Sequence, residues 1–121
     1  MRALVISPDG TVDLTLTMPN GDAERLAWLQ QQVGGWVEAF RPVKPWLADW
    51  VGWCDEDGKL KGYPRNERAT ELARIAGWST PAGMLFDELV GTIVFTGYTP
   101  DADVAGVPDD PVRVARDPWP W

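Results

Sequence analysis

The chain contains no histidine and only one cysteine in 121 residues. The common zinc sites need imidazole or paired thiolates, and Cys54 alone cannot close an internal disulfide. Long apolar runs are also missing: the first seven residues, MRALVIS, are too short for a signal peptide, and no segment reaches the length that spans a bilayer. We therefore expect a soluble, cytoplasmic protein that does not insert into a membrane, binds no metal and uses no cofactor.

The lack of histidine also bears on catalysis. A cysteine or serine nucleophile would need a lysine or carboxylate as its base, and no motif places one beside it. Asp57-Gly58-Lys59, with Asp9 upstream, could form a degenerate magnesium-dependent nuclease motif. Both aspartates, however, belong to Asp-Gly pairs, which turn geometry explains by itself. The sequence therefore favours a protein that is not an enzyme.

The apolar fraction of 45% and charged fraction of 24% are typical of a globular domain. Hydrophobic periodicity predicts a hairpin (2–6 and 11–17), a helix (23–33), a strand pair (36–40 and 49–54), a second helix (66–76) and a strand (92–97). This order indicates a single α+β domain, with a mainly antiparallel sheet and both helices on one face. Residues 1–98 would form the core domain, and 99–121 an irregular Pro/Asp-rich strap with at most one helical turn near 112–115.

The first helix is predicted to begin at Asp22 as N-cap and to end at the Gly34-Gly35 pair. Leu26, Leu29 and Val33 would form its buried stripe. In the hairpin, the alternation of Val12, Leu14 and Leu16 predicts that all three lie on one face of the sheet.

The second helix is predicted to have Asn66 as its N-cap. Its buried stripe would be made of Ala69, Leu72, Ala73 and Ala76, while Arg68, Glu71 and Arg74 face outward.

Eight tryptophans are many for this length. Trp36, Trp50 and Trp53 fall in predicted strands and are expected in the core. Trp28 lies opposite the apolar stripe, so it is either covered or part of a partner surface, for example in a homodimer. Trp119 and Trp121 either dock on the body or bind a partner.

The segment KLKGYPRNERAT, residues 59–70, follows a predicted turn at 55–58 and is expected to begin as extended chain at Lys59-Leu60. It reverses the sign of the local charge. Residues 59–68 carry +3 in a chain of net charge -7, which leaves -10 on the remainder. Two interpretations stay open. In the first, the basic residues pair with the protein's own acids and protect an edge strand, and Asn66 is a simple cap. Alternatively, a helix N-terminus next to positive charge attracts an anionic ligand. In that case the ligand would meet Lys59, Lys61, Tyr63, Arg65, Asn66 and Arg68, and Trp53 and Tyr63 would stack on a base.

Four segments resemble a known family: VGGWVEAF (33–40), GKLKGYPRNERAT (58–70), LVGTIVFTG (89–97) and VPDD (107–110). In order and spacing they are similar to the family called domain of unknown function 3846, over nearly the whole chain. The resemblance implies an accessory protein of bacteriophages or mobile elements, notably of actinobacteria, and implies no activity. The terminal DPWPW and the loop 78–85 depart from the pattern, so no role is carried over to them.

Together these features predict a non-catalytic, phage-type binding protein that works in the cytoplasm of a bacterial host. One hypothesis is counter-defence by sequestering a small anionic, nucleotide-like ligand. The alternative is inhibition of a host protein, which includes mimicry of nucleic acid by an acidic surface. Direct DNA binding is disfavoured by the net charge of -7.

Overall fold

The computed structural model describes residues 1–40, 50–75, 88–98 and 104–109. Within them the chain forms six strands and two helices: β1 (Leu4–Ile6), β2 (Val12–Asp13), α1 (Asp22–Val33), β3 (Val37–Phe40), β4 (Trp50–Asp55), α2 (Glu67–Ile75), β5 (Ile93–Tyr98) and β6 (Val104–Ala105). The predicted α+β class and the single domain are confirmed. Neither helix in these ranges is both long and apolar enough to cross a bilayer.

The sheet has the strand order β2-β1-β5-β4-β3, and every pair of neighbours is antiparallel. β5 is central, with β1 on one side and β4 on the other. β6 pairs with the end of β5. Both predicted strand pairs are confirmed, and so is the predicted strand near residues 92–97.

The two helices pack on opposite faces of the sheet, so the prediction that both share one face is wrong. Leu4 and Ile6 belong to a core that contains Leu72 of α2, whereas Val5 belongs to a core that contains Leu29 of α1. Successive side chains of a strand point to opposite faces. We call these clusters the α2-side core and the α1-side core. Both sheet faces are covered because β1 is apolar at consecutive positions.

α1 differs from its prediction at its start and in its buried stripe. Gly21 occupies the N-cap position with no side-chain hydrogen bond, and Asp22 pairs with Arg25 instead. Leu26 is 45% exposed, whereas Trp28 packs half-buried against the α1-side core. The helix is rotated in this direction because covering the larger indole removes more apolar area from water. The predicted end is confirmed, since Gly34 adopts φ 92° at the C-cap.

The alternation predicted for residues 11–17 is broken after β2. The Asp13 carboxylate accepts hydrogen bonds from the N–H and hydroxyl of Thr15, at 2.8 and 2.7 Å. This local turn competes with the strand. As a result Val12 and Leu14 pack on the α2-side core, whereas Leu16 packs on the α1-side core. The prediction of one shared face is wrong.

The tryptophans predicted to be in the core divide into two groups. Trp50 is buried, with its ring centroid 5.8 Å from that of Phe95. Trp53 is half-buried on the α1-side core. Trp36 is 67% exposed and precedes β3, so its predicted burial is wrong. The strand begins one residue later than predicted, at Val37.

α2 has the predicted buried stripe at Ala69, Leu72 and Ala73, each 0% exposed. Ala76 lies outside the described residues. Arg74 is exposed as predicted, but Arg68 and Glu71 are partly buried.

The described part of the strap, residues 104–109, is bound to the body and partly regular. β6 extends the sheet, and the Val107 N–H donates to the Arg2 carbonyl at 2.9 Å. The Arg2 guanidinium in turn donates to the Val107 carbonyl and pairs with Asp109 at 2.9 Å. The helical turn predicted near 112–115 and the loop 78–85 lie outside the described residues.

Candidate functional site

The basic segment forms a compact series of turns between β4 and α2. Turn conformation runs through residues 56–62, so the extended chain predicted at Lys59-Leu60 is wrong. Backbone hydrogen bonds from Gly58 to Asp55, from Lys61 to Asp57 and from Tyr63 to Gly58 hold the turns. Asp57 and Gly58 favour this geometry, since both residue types are common in turns.

The Asp55 carboxylate organises these turns. Its side chain is 1% exposed and accepts hydrogen bonds from Lys61 Nζ at 2.6 Å, the Asp57 N–H at 2.9 Å and the Tyr63 hydroxyl at 3.1 Å. Lys61 Nζ also donates to the Gly34 carbonyl at 3.2 Å, at the C-terminus of α1. A cation is favourable at that end of a helix dipole. The ammonium group of Lys61 is thus bound mainly by acceptors within the protein.

This arrangement shifts both ionisable groups toward their charged forms. Burial by itself raises the pKa of Asp55, but the hydrogen bonds from Lys61, Asp57 and Tyr63 outweigh it and leave the pKa below the usual value. The hydrogen bond to Asp55 likewise raises the pKa of Lys61. Asp55 and Lys61 therefore remain an ion pair over the whole physiological range.

Tyr63 lies against three glycines. A Cβ built on Gly91 would come within 2.6 Å of the Tyr63 ring, and one on Gly34 within 2.8 Å of its hydroxyl. On Gly58 the nearest approach to the ring is 3.3 Å. Gly91 also has φ 75°, a conformation that other residues adopt at a cost. The tyrosine predicted to stack on a ligand is thus a packing residue between the end of α1 and the start of β5.

Asn66 is 0% exposed and caps α2, as predicted. Its side-chain oxygen accepts from the Ala69 N–H at 3.1 Å, and its amide nitrogen donates to the carbonyls of Ile6 and Gly91 at 2.8 and 2.9 Å. Its backbone N–H donates to Leu89. Asn66 therefore ties β1, α2 and the chain before β5 together, and its burial keeps it away from a ligand at the surface.

The other predicted ligand residues do not converge on one site. Arg65 forms an ion pair with Glu88 at 3.4 Å, Lys59 is exposed in the turns and Arg68 is partly buried on α2. Trp53 lies in the α1-side core, where its indole N–H donates to the Thr96 hydroxyl at 3.0 Å. Trp28 is half-buried, and Trp119 and Trp121 lie outside the described residues. The ligand-binding role of this set stays a prediction.

A groove of about 270 Å³ lies beside the turns. Its lining includes Glu38 of β3, Cys54 and Glu56 at the end of β4, and Lys59 and Leu60 of the turns. Leu60 is 89% exposed. The Trp36 carbonyl accepts from the Glu56 N–H at 2.9 Å, which places the backbone of Trp36 beside a residue that lines the groove. We call Trp36, Glu38, Glu56 and Leu60 the rim surface.

A second cavity has a volume of about 290 Å³ and is lined in part by Tyr63. Its lining residues are Pro8, Gln32, Val33, Gly34, Tyr63, Pro64, Gly91 and Thr92. None of them carries a charge at neutral pH, so this cavity offers no ionic contact to an anion.

The chemistry of Cys54 and of the aspartates limits what the groove can do. Burial, with the nearby Glu38 and Asp55 charges, raises the pKa of Cys54 to about 12, which leaves its thiol protonated and weakly nucleophilic. Asp9 accepts a hydrogen bond from the Thr11 N–H in its own turn. Within the described residues, no group of three or more cysteine and carboxylate side chains is placed to hold a metal ion.

Sequence reasoning missed the rim surface. Trp36 was expected in the core and Leu60 in an extended chain, so neither pointed to a contact surface. Two features of the sequence could have indicated it. The Asp57-Gly58 turn favours exposure of Leu60, which follows it shortly afterwards. The glutamate within VEAF at 37–40 is a charged residue of the kind that protects an edge strand.

A family model described as Domain of unknown function (DUF3846) matches residues 1–118. No curated protein and no solved structure matches the chain.

Proposed function

We propose, from the premise that this chain belongs to the family described as Domain of unknown function (DUF3846), that it is a non-catalytic accessory protein that binds another protein. The contact would be the rim surface. Inhibition of a host factor by this contact would give the counter-defence role that the sequence led us to expect.

The observation that carries the proposal is the exposure of two large apolar side chains. Leu60 lines the groove, and Trp36 is bonded through its backbone to the lining residue Glu56. Trp36 is 67% exposed and Leu60 is 89% exposed. Tryptophan is enriched among the residues that dominate protein interfaces, because it buries much apolar area at little entropic cost. Because most of each side chain remains in water, the two residues contribute little to the stability of the fold. A partner that covers them would supply a reason for their position.

The geometry gives less support to a small anionic ligand at the basic segment. Lys61 is engaged with Asp55 and Gly34, Arg65 with Glu88, and Asn66 is buried. An anion would have to compete with these internal partners. The protein partner, which the sequence left as the alternative, is therefore the function that the described residues favour.

The proposal is tested by affinity capture from a bacterial lysate with three tagged proteins. These are the wild type, Trp36→Ser, and Leu26→Ser as matched control, since Leu26 is also exposed but lies on α1. We expect a protein retained by the wild type and the control and lost with Trp36→Ser. Equal retention by all three, or retention by none, would contradict the proposal.

The same captured material separates the two hypotheses. Heating it and analysing the released small molecules reads out the nucleotide-like ligand. A nucleotide released by the wild type and by Trp36→Ser but not by an Arg65→Ala/Arg68→Ala variant would favour the small ligand instead.

A further inference from the structure

The outer edge of β3 is open within the described residues. In the ranges 1–40, 50–75, 88–98 and 104–109, β3 has β4 on one side and no strand on the other. An exposed strand edge is a template to which an extended segment of another chain can add, through main-chain hydrogen bonds.

The register shows which backbone groups point outward. The Glu56 N–H donates to the Trp36 carbonyl, so the Trp36 and Glu56 pair is a hydrogen-bonded one. Such pairs alternate along an antiparallel ladder. The backbone N–H and C=O groups of Glu38 and Phe40 therefore face β4, where their partners in the register are Cys54 and Gly52. The N–H and C=O groups of Val37 and Ala39 point to the open edge.

The charge beside this edge selects the occupant. Glu38, in the middle of β3, and Glu56, directly after β4, are both exposed and both line the groove. Lys59 also lines the groove, but the acidic residues of the lining outnumber it. A second copy of this chain would bring its own Glu38 and a further net charge of -7 to the edge. Like charges at paired strands are unfavourable, and opposite charges across strands are favourable. A cationic segment therefore complements the negative charge at this edge, whereas a second copy of the chain would be repelled by it.

We propose that the partner contributes an extended, basic segment that adds to β3 as an antiparallel strand, with a lysine or arginine side chain beside Glu38 and Glu56. This inference rests on the proposed function and names the chemistry of the partner. Trp36 would cover apolar side chains of the same segment, since it stands directly before the strand to which the segment pairs.

The test uses the full chain and three synthetic peptides of equal length. One alternates lysine with valine, one alternates glutamate with valine, and the third is the lysine peptide with N-methyl groups on the amides of its pairing edge. Calorimetry measures binding, and hydrogen exchange measures protection of the Val37 and Ala39 amides. We expect the lysine peptide to bind at least about tenfold more tightly than either of the others and to protect both amides.

A charge reversal supplies the matched pair of variants. Glu38→Lys should reverse the preference toward the glutamate peptide, whereas Glu24→Lys, with the same charge change on α1 at the other face of the sheet, should leave the preference for lysine intact. Equal binding of the lysine and glutamate peptides, or an equal response of the two variants, would overturn the basic partner.

Two further outcomes overturn strand addition alone. These are undiminished binding of the N-methylated peptide, and unprotected Val37 and Ala39 amides in the presence of bound lysine peptide. Neither outcome bears on the capture experiment with Trp36→Ser, so failure of this inference and failure of the proposed function remain distinguishable.

Discussion

The Asp55 carboxylate joins the end of β4 to the turns that follow it and, through Lys61, to the end of α1. Removing one partner of a buried, hydrogen-bonded charge leaves the others unsatisfied. We therefore expect Asp55→Asn to lower the free energy of unfolding by about 1 to 3 kcal/mol at neutral pH. Urea denaturation measures it. Asp22→Asn is the control, because Asp22 is 95% exposed in a surface pair and its loss should cost under about 0.5 kcal/mol.

The same carboxylate makes stability depend on pH. The pKa of Asp55 is lowered in the folded protein, because hydrogen bonds from Lys61, Asp57 and Tyr63 outweigh burial, which acts to raise it. A group of this kind contributes stability above its unfolded pKa of about 3.9 and loses that contribution as pH falls through the folded pKa. Asp55→Asn should thus lose less stability than the wild type on acidification. If the wild type and Asp55→Asn lose the same stability on acidification, carboxylates other than Asp55 dominate the dependence of stability on pH.

Gly91 and Gly62 provide a matched pair of glycines. Both have positive φ, 75° and 73°, but a Cβ on Gly91 would meet the Tyr63 ring at 2.6 Å, whereas one on Gly62 would meet nothing within 4 Å. Alanine at Gly62 should cost about 1 to 2 kcal/mol for the backbone alone. Gly91→Ala should cost at least about 1 kcal/mol more, because the ring must move. Equal midpoints in thermal unfolding would contradict this contact.

At the scale of elements, α2 is anchored by Leu72, which is 0% exposed in the α2-side core. Leu72→Asp places an unpaired carboxylate there, and we expect a loss of several kcal/mol, about enough to unfold the domain. Circular dichroism and solubility measure the effect. Leu60→Asp is the control, since Leu60 is 89% exposed and should tolerate the change. A soluble Leu72→Asp protein that melts like the wild type would remove α2 from the core.

Local signals predicted most elements, and long-range packing decided what they missed. The apolar run in β1, the aromatic and β-branched pair β3 and β4 and the Asn66 cap were all visible in the sequence. Which face each helix covers was not, because periodicity defines a buried stripe without naming the sheet face that it meets. The rotation of α1 toward Trp28 was not visible either, because the choice between covering the Trp28 indole and covering Leu26 depends on the sheet that the helix meets.

The candidate site shows the same limit. The sequence identified the reversal of charge at residues 59–68, but the buried Asp55 that accepts Lys61, and the Glu88 that pairs with Arg65, could not be assigned as partners by spacing. These ion pairs join residues that are 6 and 23 positions apart in the sequence, so they form only because the turns and the strand order bring the residues together. Of the two interpretations that the sequence left open, the described contacts agree with internal pairing for these two residues.

At the scale of the whole molecule, the net charge of -7 and Glu38 at the open edge of β3 both oppose self-association at neutral pH. Trp28, which made a homodimer worth testing, is half-buried against its own core. We therefore expect a monomer by light scattering at about pH 7.

Acidification toward the pI of about 4.4 removes that repulsion, since the net charge of the chain vanishes there. We expect the scattering mass to rise there, through contacts that include the exposed Trp36. Glu38→Ala should shift the onset of association to higher pH more than Glu24→Ala does, because the two variants lose the same charge and only the first loses it at the strand edge. If the wild type is a dimer at neutral pH and Glu38→Lys remains one, self-association uses another surface. If the two alanine variants shift the onset equally, the charge of Glu38 acts only through the net charge of the molecule and not through its position at the strand edge.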